Sequence, residues 1–167
     1  MPPADMSPIS EFIQRCEIRK LTQTDVLPFD LLLLADETRA AIEKYIYVSD
    51  TYVVYTAGEK QKVAVFVLHR LSDNEIELKN IAVAEKYQGN GIGSWLMRAI
   101  KLLARAAGYR YLWVGTADAG YRQQRFYLRN GFEQSGVRKN FFIENYATPI
   151  YENGTQLRDM ILFKTSL

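Results

Sequence analysis

Apolar and polar positions divide this chain into short alternating stretches and longer amphipathic ones. Alternation with β-branched and aromatic residues predicts strands over 16–21, 52–56, 62–71, 75–83, 109–116, 132–137 and 157–164. Apolar residues spaced by three and four predict helices over 25–35, 37–46, 92–106 and 119–130. Residues 139–154 follow neither period, are rich in aromatic side chains, and contain turn signals at Pro149 and Asn153-Gly154. The order of these elements predicts an α/β (α+β) fold.

Composition limits the function classes. With 167 residues, 48% of them hydrophobic, the chain predicts one domain over 13–167, preceded by a flexible tail over 1–12. A net charge of +2 does not favour nucleic acid or a membrane as partner, and no apolar run reaches spanning length. The single cysteine, Cys16, excludes an intrachain disulfide and favours a cytoplasmic location.

The strongest local signal is the turn from Gln88 to Ser94, between a buried strand over 77–83 and the longest helix. A helix N-terminus carries free N–H groups and partial positive charge, and no carboxylate occurs over 90–94 to neutralise it. The turn therefore predicts a site for an external phosphate or pyrophosphate, although a plain glycine-rich connection explains it equally well. A P-loop lysine is missing before Ser94, and Ser94 stands where a dinucleotide fingerprint has its third glycine.

The spacing Gln88-x-x-Gly91-x-Gly93 resembles the acyl-CoA-binding motif of the GNAT superfamily of N-acetyltransferases. The resemblance extends to Ile81-Ala82-Val83 and to residues 125–132, which end in Gly-Phe, so it covers residues 77–132. It implies a mixed, mostly antiparallel sheet flanked by helices on both faces. Two parallel central strands, 77–83 and 109–116, are expected to splay so that the pantetheine arm of coenzyme A lies between them.

The same resemblance implies the cofactor, acetyl-CoA, and the residues that bind it. Asn90 stands where the family often has a basic residue, and Arg122 and Arg125 are candidates to replace its charge. The expected cofactor-binding residues are Ile81, Ala82, Val83, Gln88, Gly89, Asn90, Gly91, Ile92, Gly93 and Ser94.

The resemblance also implies two side chains as candidates for acid–base catalysis, at the positions where the family places them. Glu77, fourteen positions before Gly91, is the candidate base, acting through water; Glu75 is the second choice, and a solvated strand-end charge is the alternative. Tyr127, four positions before Gly131, is the candidate acid for the departing thiolate, against a purely structural core tyrosine. The main-chain N–H of Ile81 is the expected oxyanion donor. His69, the only histidine, has no partner at ligand spacing, and no metal site is predicted.

The resemblance implies an N-acetyltransferase that moves acetyl to a primary amine by direct attack in a ternary complex. The alternatives are a catalytically silent acyl-CoA-binding or regulatory domain, transfer of another, longer acyl group, and an amino-acid acceptor. The acceptor stays open between a small amine, a polyamine, an antibiotic and a protein N-terminus or lysine. Residues 140–161 resemble a subgroup partly linked to polyamine acetylation. The chain is expected to be a monomer or homodimer.

An aromatic cluster is expected to form core rather than an acceptor pocket: Phe141, Phe142, Tyr146 and Tyr151.

Overall fold

A seven-stranded sheet in the order β1-β2-β3-β4-β5-β9-β6 organises the computed structural model, which describes residues 7–58 and 60–167. The described helices are α1 Pro8–Gln14, α2 Phe29–Leu32, α3 Arg39–Glu43, α4 Ile92–Ala106, α5 Tyr121–Arg129 and α6 Phe141–Glu144. The strands are β1 Cys16–Lys20, β2 Asp50–Thr56, β3 Lys62–Arg70, β4 Glu75–Val83, β5 Tyr111–Ala117, β6 Glu133–Arg138, β7 Tyr151–Glu152, β8 Thr155–Gln156 and β9 Met160–Ser166. Short 3₁₀ turns cover Ile46–Val48 and Glu85–Tyr87.

The two central strands separate, as the resemblance implied. Strands β4 and β5 form the parallel pair of the sheet, and their register runs only from Glu75–Tyr111 to Leu78–Val114. Beyond Leu78, β4 continues to Val83 with β3 on one side and no strand of the described residues on the other. Every other neighbouring pair is antiparallel, which confirms the mixed, mostly antiparallel sheet.

The sheet buries apolar side chains on both faces. One face packs against α4, whose Ile92, Leu96 and Ile100 are fully buried. The other face packs against the segment around α2 and α3 through Leu32 and Ile42. No helix among the described residues is long and apolar enough to cross a membrane.

The helices before β2 are shorter than predicted. Over 22–25 the chain forms a turn in which the Asp25 carboxylate accepts from the Thr22 N–H at 2.7 Å. This turn prevents a helix from starting at residue 25, and α2 begins only after Pro28. α3 begins after Thr38, whose hydroxyl accepts from the Ala41 N–H at 3.1 Å.

The described part of the N-terminal segment differs from the predicted flexible tail. Residues 1–6 lie outside the described residues, but Pro8–Gln14 forms α1, begun by Ser7 as N-cap and by Pro8 in its first turn. The Phe12 ring stacks on Tyr87 with ring centroids 5.2 Å apart. A proline-rich stretch without strong periodicity thus becomes a helix because its Phe12 reaches the main core.

The C-terminal third also differs from the prediction. Helix α5 begins after Gly120, because the Asp118 carboxylate accepts from the Arg158 and Asp159 amides, at 3.2 and 3.1 Å, instead of serving as the cap. The predicted turn at Asn153-Gly154 is confirmed, with φ of 52° and 76°, and it joins the small hairpin β7–β8. Helix α6 and this hairpin were missed because each is only a few residues long.

Candidate active site

The turn between β4 and α4 leaves its backbone amides open. Gly91 is the N-cap at φ 76°, no side chain caps the helix, and no acidic residue lies in the first turn. The N–H groups from Gly89 to Ser94 have no hydrogen-bond partner among residues 7–58 and 60–167. These amides and the helix dipole give the turn the electrostatics of a phosphate site.

Gln88 contributes to this turn in another way than expected. Its N–H already donates to the Glu85 carbonyl at 3.2 Å, so it is not available for a phosphate. Its side-chain amide donates to the Val83 carbonyl at 2.8 Å, which ties the turn to the end of β4. Asn90 likewise turns inward, with its amide 3.3 Å from the Tyr87 carbonyl. Both side chains therefore shape the turn.

The backbone of β4 beyond Leu78 is a free edge toward β5. Ile81 and Val83 are half-buried and Ala82 is buried, so this edge lies inside the molecule and not on its rim. An extended chain entering the split meets main-chain donors and acceptors there, as in strand addition. The fold thus places Ile81, Ala82 and Val83 directly before the open turn.

Glu77 lies in a cavity of about 240 Å³ that opens at the split, and its carboxylate is 6% exposed. Lys79 Nζ lies 3.2 Å from Glu77 Oε2, an ion pair without hydrogen-bond geometry. This oxygen has no hydrogen-bond partner in the described part of the chain, which is costly for a buried carboxylate. The pocket therefore contains a proton acceptor with unused capacity. We call it the split pocket; it is lined by Asp36, Ala41, Lys44, Tyr45, Glu77, Leu78, Lys79, Gly115, Phe141, Asn145, Tyr146 and Met160.

Glu75 and His69, the other two titratable residues considered from the sequence, already have hydrogen-bond partners. Glu75 accepts from the Trp113 indole N–H at 3.1 Å, so its carboxylate is less available as a base than that of Glu77. His69 lies opposite Glu77 in the sheet, and its Nδ1 lies 3.0 Å from the Ser49 hydroxyl. The geometry favours Glu77 over Glu75.

One side of the split pocket is a hydrogen-bonded network that sequence reasoning missed. Asp36 accepts from the hydroxyls of Tyr45, at 3.2 Å, and Tyr146, at 2.9 Å. Asn80, almost fully buried, donates to the Tyr45 hydroxyl at 3.2 Å and to the Leu32 carbonyl at 3.0 Å. Asp36 and Tyr146 are 110 positions apart, so no local pattern relates them. Only the aromatic richness of residues 139–154 hinted at this side.

The aromatic cluster divides between core and pocket. Phe142 is buried beside Leu157, as predicted for a core residue, while Tyr151 is 64% exposed. Phe141 and Tyr146, by contrast, line the split pocket. They also pack against the core cluster around Phe142, so the core prediction is correct but incomplete for these two residues, and it is wrong for the exposed Tyr151.

Tyr127 lies on the other face of the sheet from Glu77, in the core packed against α4. Its ring meets Phe126 and Phe132 edge-on, at centroid distances of 5.5 and 5.7 Å. No hydrogen bond to its hydroxyl occurs within the described residues. Burial raises the pKa of Tyr127 to about 12, so the phenol keeps its proton throughout the neutral range.

Burial of tyrosines predicts a loss of stability in alkaline solution. Burial also raises the pKa of Tyr45 and Tyr146 above the ordinary value, and the Asp36 carboxylate adds to this. Each folded-state pKa exceeds the unfolded value of about 10, so stability is complete below pH ~10 and falls as the unfolded chain ionises. For Tyr127 alone the loss reaches ~2 kcal/mol by pH ~11.5.

Urea denaturation at several pH values between about 8 and 11.5 would measure this loss. The Tyr127→Phe variant is expected to lose less stability over that range than the parent. If the free energy of unfolding fell equally with pH in the two proteins, the raised pKa of Tyr127 would be contradicted.

Arg122 and Arg125, the proposed substitutes for a basic residue at Asn90, are exposed on α5. Helix α5 contacts the start of α4, since a Cβ at Gly93 would lie 3.3 Å from the Phe126 ring and Asn130 approaches the Ser94 hydroxyl at 3.4 Å. Neither arginine has a salt bridge in the described structure. Their charge is thus available on the helix beside the open turn.

Comparisons with known proteins place these features in a family. A family model described as an acetyltransferase (GNAT) domain matches residues 36–134. An uncharacterised N-acetyltransferase of Bacillus subtilis, YvbK, is 30% identical over 149 residues, which is 89% of this chain and 95% of that protein.

Two solved structures share the fold over nearly the whole chain. A GNAT family acetyltransferase from Elizabethkingia anophelis with acetyl-CoA bound has a TM-score of 0.86 at 37% identity, covering 92% of this chain and 99% of the other. A Bacillus subtilis acetyltransferase in complex with CoA has a TM-score of 0.81 at 30% identity, covering 91% and 99%.

Proposed function

Because this chain belongs to the GNAT family of acetyltransferases, we propose that it acetylates a small primary amine by direct attack within a ternary complex. The chain is an N-acetyltransferase, and its acetyl donor is acetyl-CoA. What carries the proposal beyond the family is Glu77, whose buried and unsatisfied oxygen faces a pocket at the split of the sheet. A silent binding domain has no need to keep such a carboxylate.

The cofactor-binding residues fit the two ends of coenzyme A. Amides from Gly89 to Ser94 suit the pyrophosphate, and the free edge of β4 from Ile81 to Val83 suits the amide groups of the pantetheine arm. Arg122 and Arg125 add positive charge beside the turn that is assigned to the pyrophosphate. Acetyl-CoA supplies the acetyl group as a thioester.

The residues of this chain then move protons around the reacting groups. Glu77 accepts the ammonium proton of the acceptor, directly or through water, so that the nitrogen lone pair can form the new C–N bond. The Ile81 N–H donates to the thioester oxygen as negative charge develops there. As the C–S bond breaks, the Tyr127 hydroxyl donates a proton to the departing sulfur. The second proton that the nitrogen loses on becoming an amide passes through water and restores the phenol. With its pKa of about 12, Tyr127 is protonated throughout the neutral range, so a donor is present when the sulfur departs.

Direct attack is supported by what lines the split pocket. Cysteine and serine are absent from its lining within the described residues, so it offers neither thiol nor hydroxymethyl nucleophile for an acyl-enzyme. Cys16 lies elsewhere, with its thiol donating to the Phe12 carbonyl at 3.4 Å.

Thiol release from acetyl-CoA over a panel of primary amines tests the proposal, with Gly91→Val as the variant. At φ 76° the substitution places a side chain over the open amides, where the phosphates are expected. The expected result is amine-dependent thiol release by the parent and an increase in KM for acetyl-CoA of about tenfold or more in the variant, equivalent to ~1.4 kcal/mol or more.

Gly108→Val is the matched control, since Gly108 also has positive φ, 92°, and open space, but lies at the far end of α4. Both variants carry similar backbone strain, and only Gly91→Val is expected to weaken the binding of acetyl-CoA. Tight acetyl-CoA binding without thiol release for any amine would favour the silent domain. An unchanged KM in Gly91→Val would refute the phosphate assignment.

A further inference from the structure

We infer that the acceptor is a small amine that also carries a carboxylate, as an α-amino acid does, and not a polyamine. This inference rests on the proposed function and specifies the substrate class of the same pocket. It depends on the charges around the split pocket, on their partners, and on the size and polarity of the pocket walls.

The charges that line the split pocket are balanced. Asp36 and Glu77 supply two carboxylates, and Lys44 and Lys79 supply two ammonium groups. Binding several ammonium groups in a half-buried site requires carboxylates in excess. The lining therefore lacks the charge excess that a polyamine needs.

The two carboxylates are also not equally free. Asp36 already accepts from two tyrosine hydroxyls and, at 2.8 Å, from the Glu37 N–H. Glu77 pairs with Lys79, whose Nζ lies 3.2 Å from Oε2, but its carboxylate accepts no hydrogen bond among the described residues. The pocket thus offers one binding position for one amine, at Glu77.

Lys44 supplies the complementary charge. It is exposed, and its Nζ donates to the Asn145 carbonyl at 3.2 Å, which holds the side chain at the pocket wall. In the described part of the chain Lys44 forms no salt bridge, whereas the nearby Arg39 is paired with Glu43 on the same helix at 2.9 Å. An unneutralised, positioned ammonium group at the wall favours an anionic group on the acceptor.

The remaining wall is apolar and the space is small. Leu78, Phe141 and Met160 form this part of the lining, and the cavity holds about 240 Å³. Met160 packs directly over Gly115, where a Cβ would lie 2.5 Å from its sulfur. A side chain at position 115 would therefore displace Met160 from the pocket wall. A compact apolar side chain between an amine and a carboxylate matches these three surfaces.

One feature opposes this assignment. Glu37, outside the pocket lining, lies close enough to both Asp36 and Glu152 to interact with them, and a second ammonium group of a long acceptor would find carboxylates there. A polyamine is therefore the competing acceptor that the experiment includes.

Matched pairs of amines with and without the carboxylate test the inference. Leucine is compared with 3-methylbutylamine and phenylalanine with 2-phenylethylamine, and spermidine is added, with thiol release from acetyl-CoA giving kcat/KM for each. The expected result is a preference of about tenfold or more for the amino acid in at least one pair. In Lys44→Gln that preference should fall to about one.

Lys20→Gln is the control, because it removes the same charge from β1, where Lys20 pairs with Asp50 at 2.9 Å, away from the pocket. It should leave the preference of the parent unchanged. Equal or better kcat/KM for the plain amines or for spermidine, or a preference that survives in Lys44→Gln, would overturn the inference while leaving the acetyltransferase proposal intact. Absence of thiol release with every amine would instead overturn both.

Discussion

Glu77→Gln is expected to lower kcat by about 10²-fold while KM for acetyl-CoA stays within a few-fold. A positioned general base contributes roughly 10²–10⁴-fold, and glutamine keeps the shape of the side chain while it removes the ability to accept the ammonium proton. The cost should appear in kcat because Glu77 lines the pocket at the split and not the open turn that is assigned to the phosphates. Steady-state thiol release over a range of pH measures both the rate and its pH profile.

Glu75→Gln is the matched control for this prediction. It removes a carboxylate two positions earlier in β4, but that carboxylate already accepts from the Trp113 indole at 3.1 Å. We expect its kcat to stay within a few-fold of the parent. A Glu77→Gln variant with the rate and pH profile of the parent would remove Glu77 as the base, and a large loss in Glu75→Gln alone would transfer that role to Glu75.

Tyr127→Phe is the second change with a large expected effect, a decrease of about 10²-fold in kcat. The phenol and phenylalanine rings fill nearly the same space, so the contacts with Phe126, Phe132 and Phe163 are kept. What is lost is a hydroxyl that has no hydrogen-bond partner among the described residues and that we propose as the donor to the departing sulfur. Single-turnover thiol release at neutral pH, compared with acetyl-CoA binding by calorimetry, separates chemistry from affinity.

Tyr52→Phe provides the control, since Tyr52 is a half-buried tyrosine that packs against the same core and stacks on Phe66 at 4.8 Å. Burial raises the pKa of Tyr52 too, so both variants delete a phenol from a similar environment. The control is expected to keep its turnover. Full turnover in Tyr127→Phe at neutral pH would show that the tyrosine is structural only.

Much of the site is readable from the sequence because its backbone parts are local. The open turn depends on the glycines and on the absence of an acid over 90–94, and both are properties of consecutive residues. The periodicity of α4 and the β-branched strand before it then place this turn at the end of a buried strand. The resemblance supplied the split between β4 and β5, which no local pattern predicts, and the register that ends at Leu78–Val114 confirms it.

Predictions went wrong where a distant contact outweighs local preference. Asp118 looks like an N-cap, but two amides of the segment before β9 use its carboxylate. Phe141 and Tyr146 were predicted as core residues only, but they also line the split pocket, where the Tyr146 hydroxyl donates to the distant Asp36. Short elements such as α6 and β7–β8 carry too few residues for a period to show.

The sequence by itself determined the strand, the glycine turn and the helix that present free amides, because hydrogen bonds and φ angles there involve neighbours along the chain. The tertiary structure alone decided which side chains meet around the split pocket. Asp36, Lys44, Glu77 and Tyr146 come from four separate segments, and their charges and hydrogen bonds act on one another only once the sheet and its flanking segments have packed. The amides that we assign to the phosphates of the cofactor therefore depend on local sequence. The choice of amine, by contrast, depends on contacts that exist only in the folded chain.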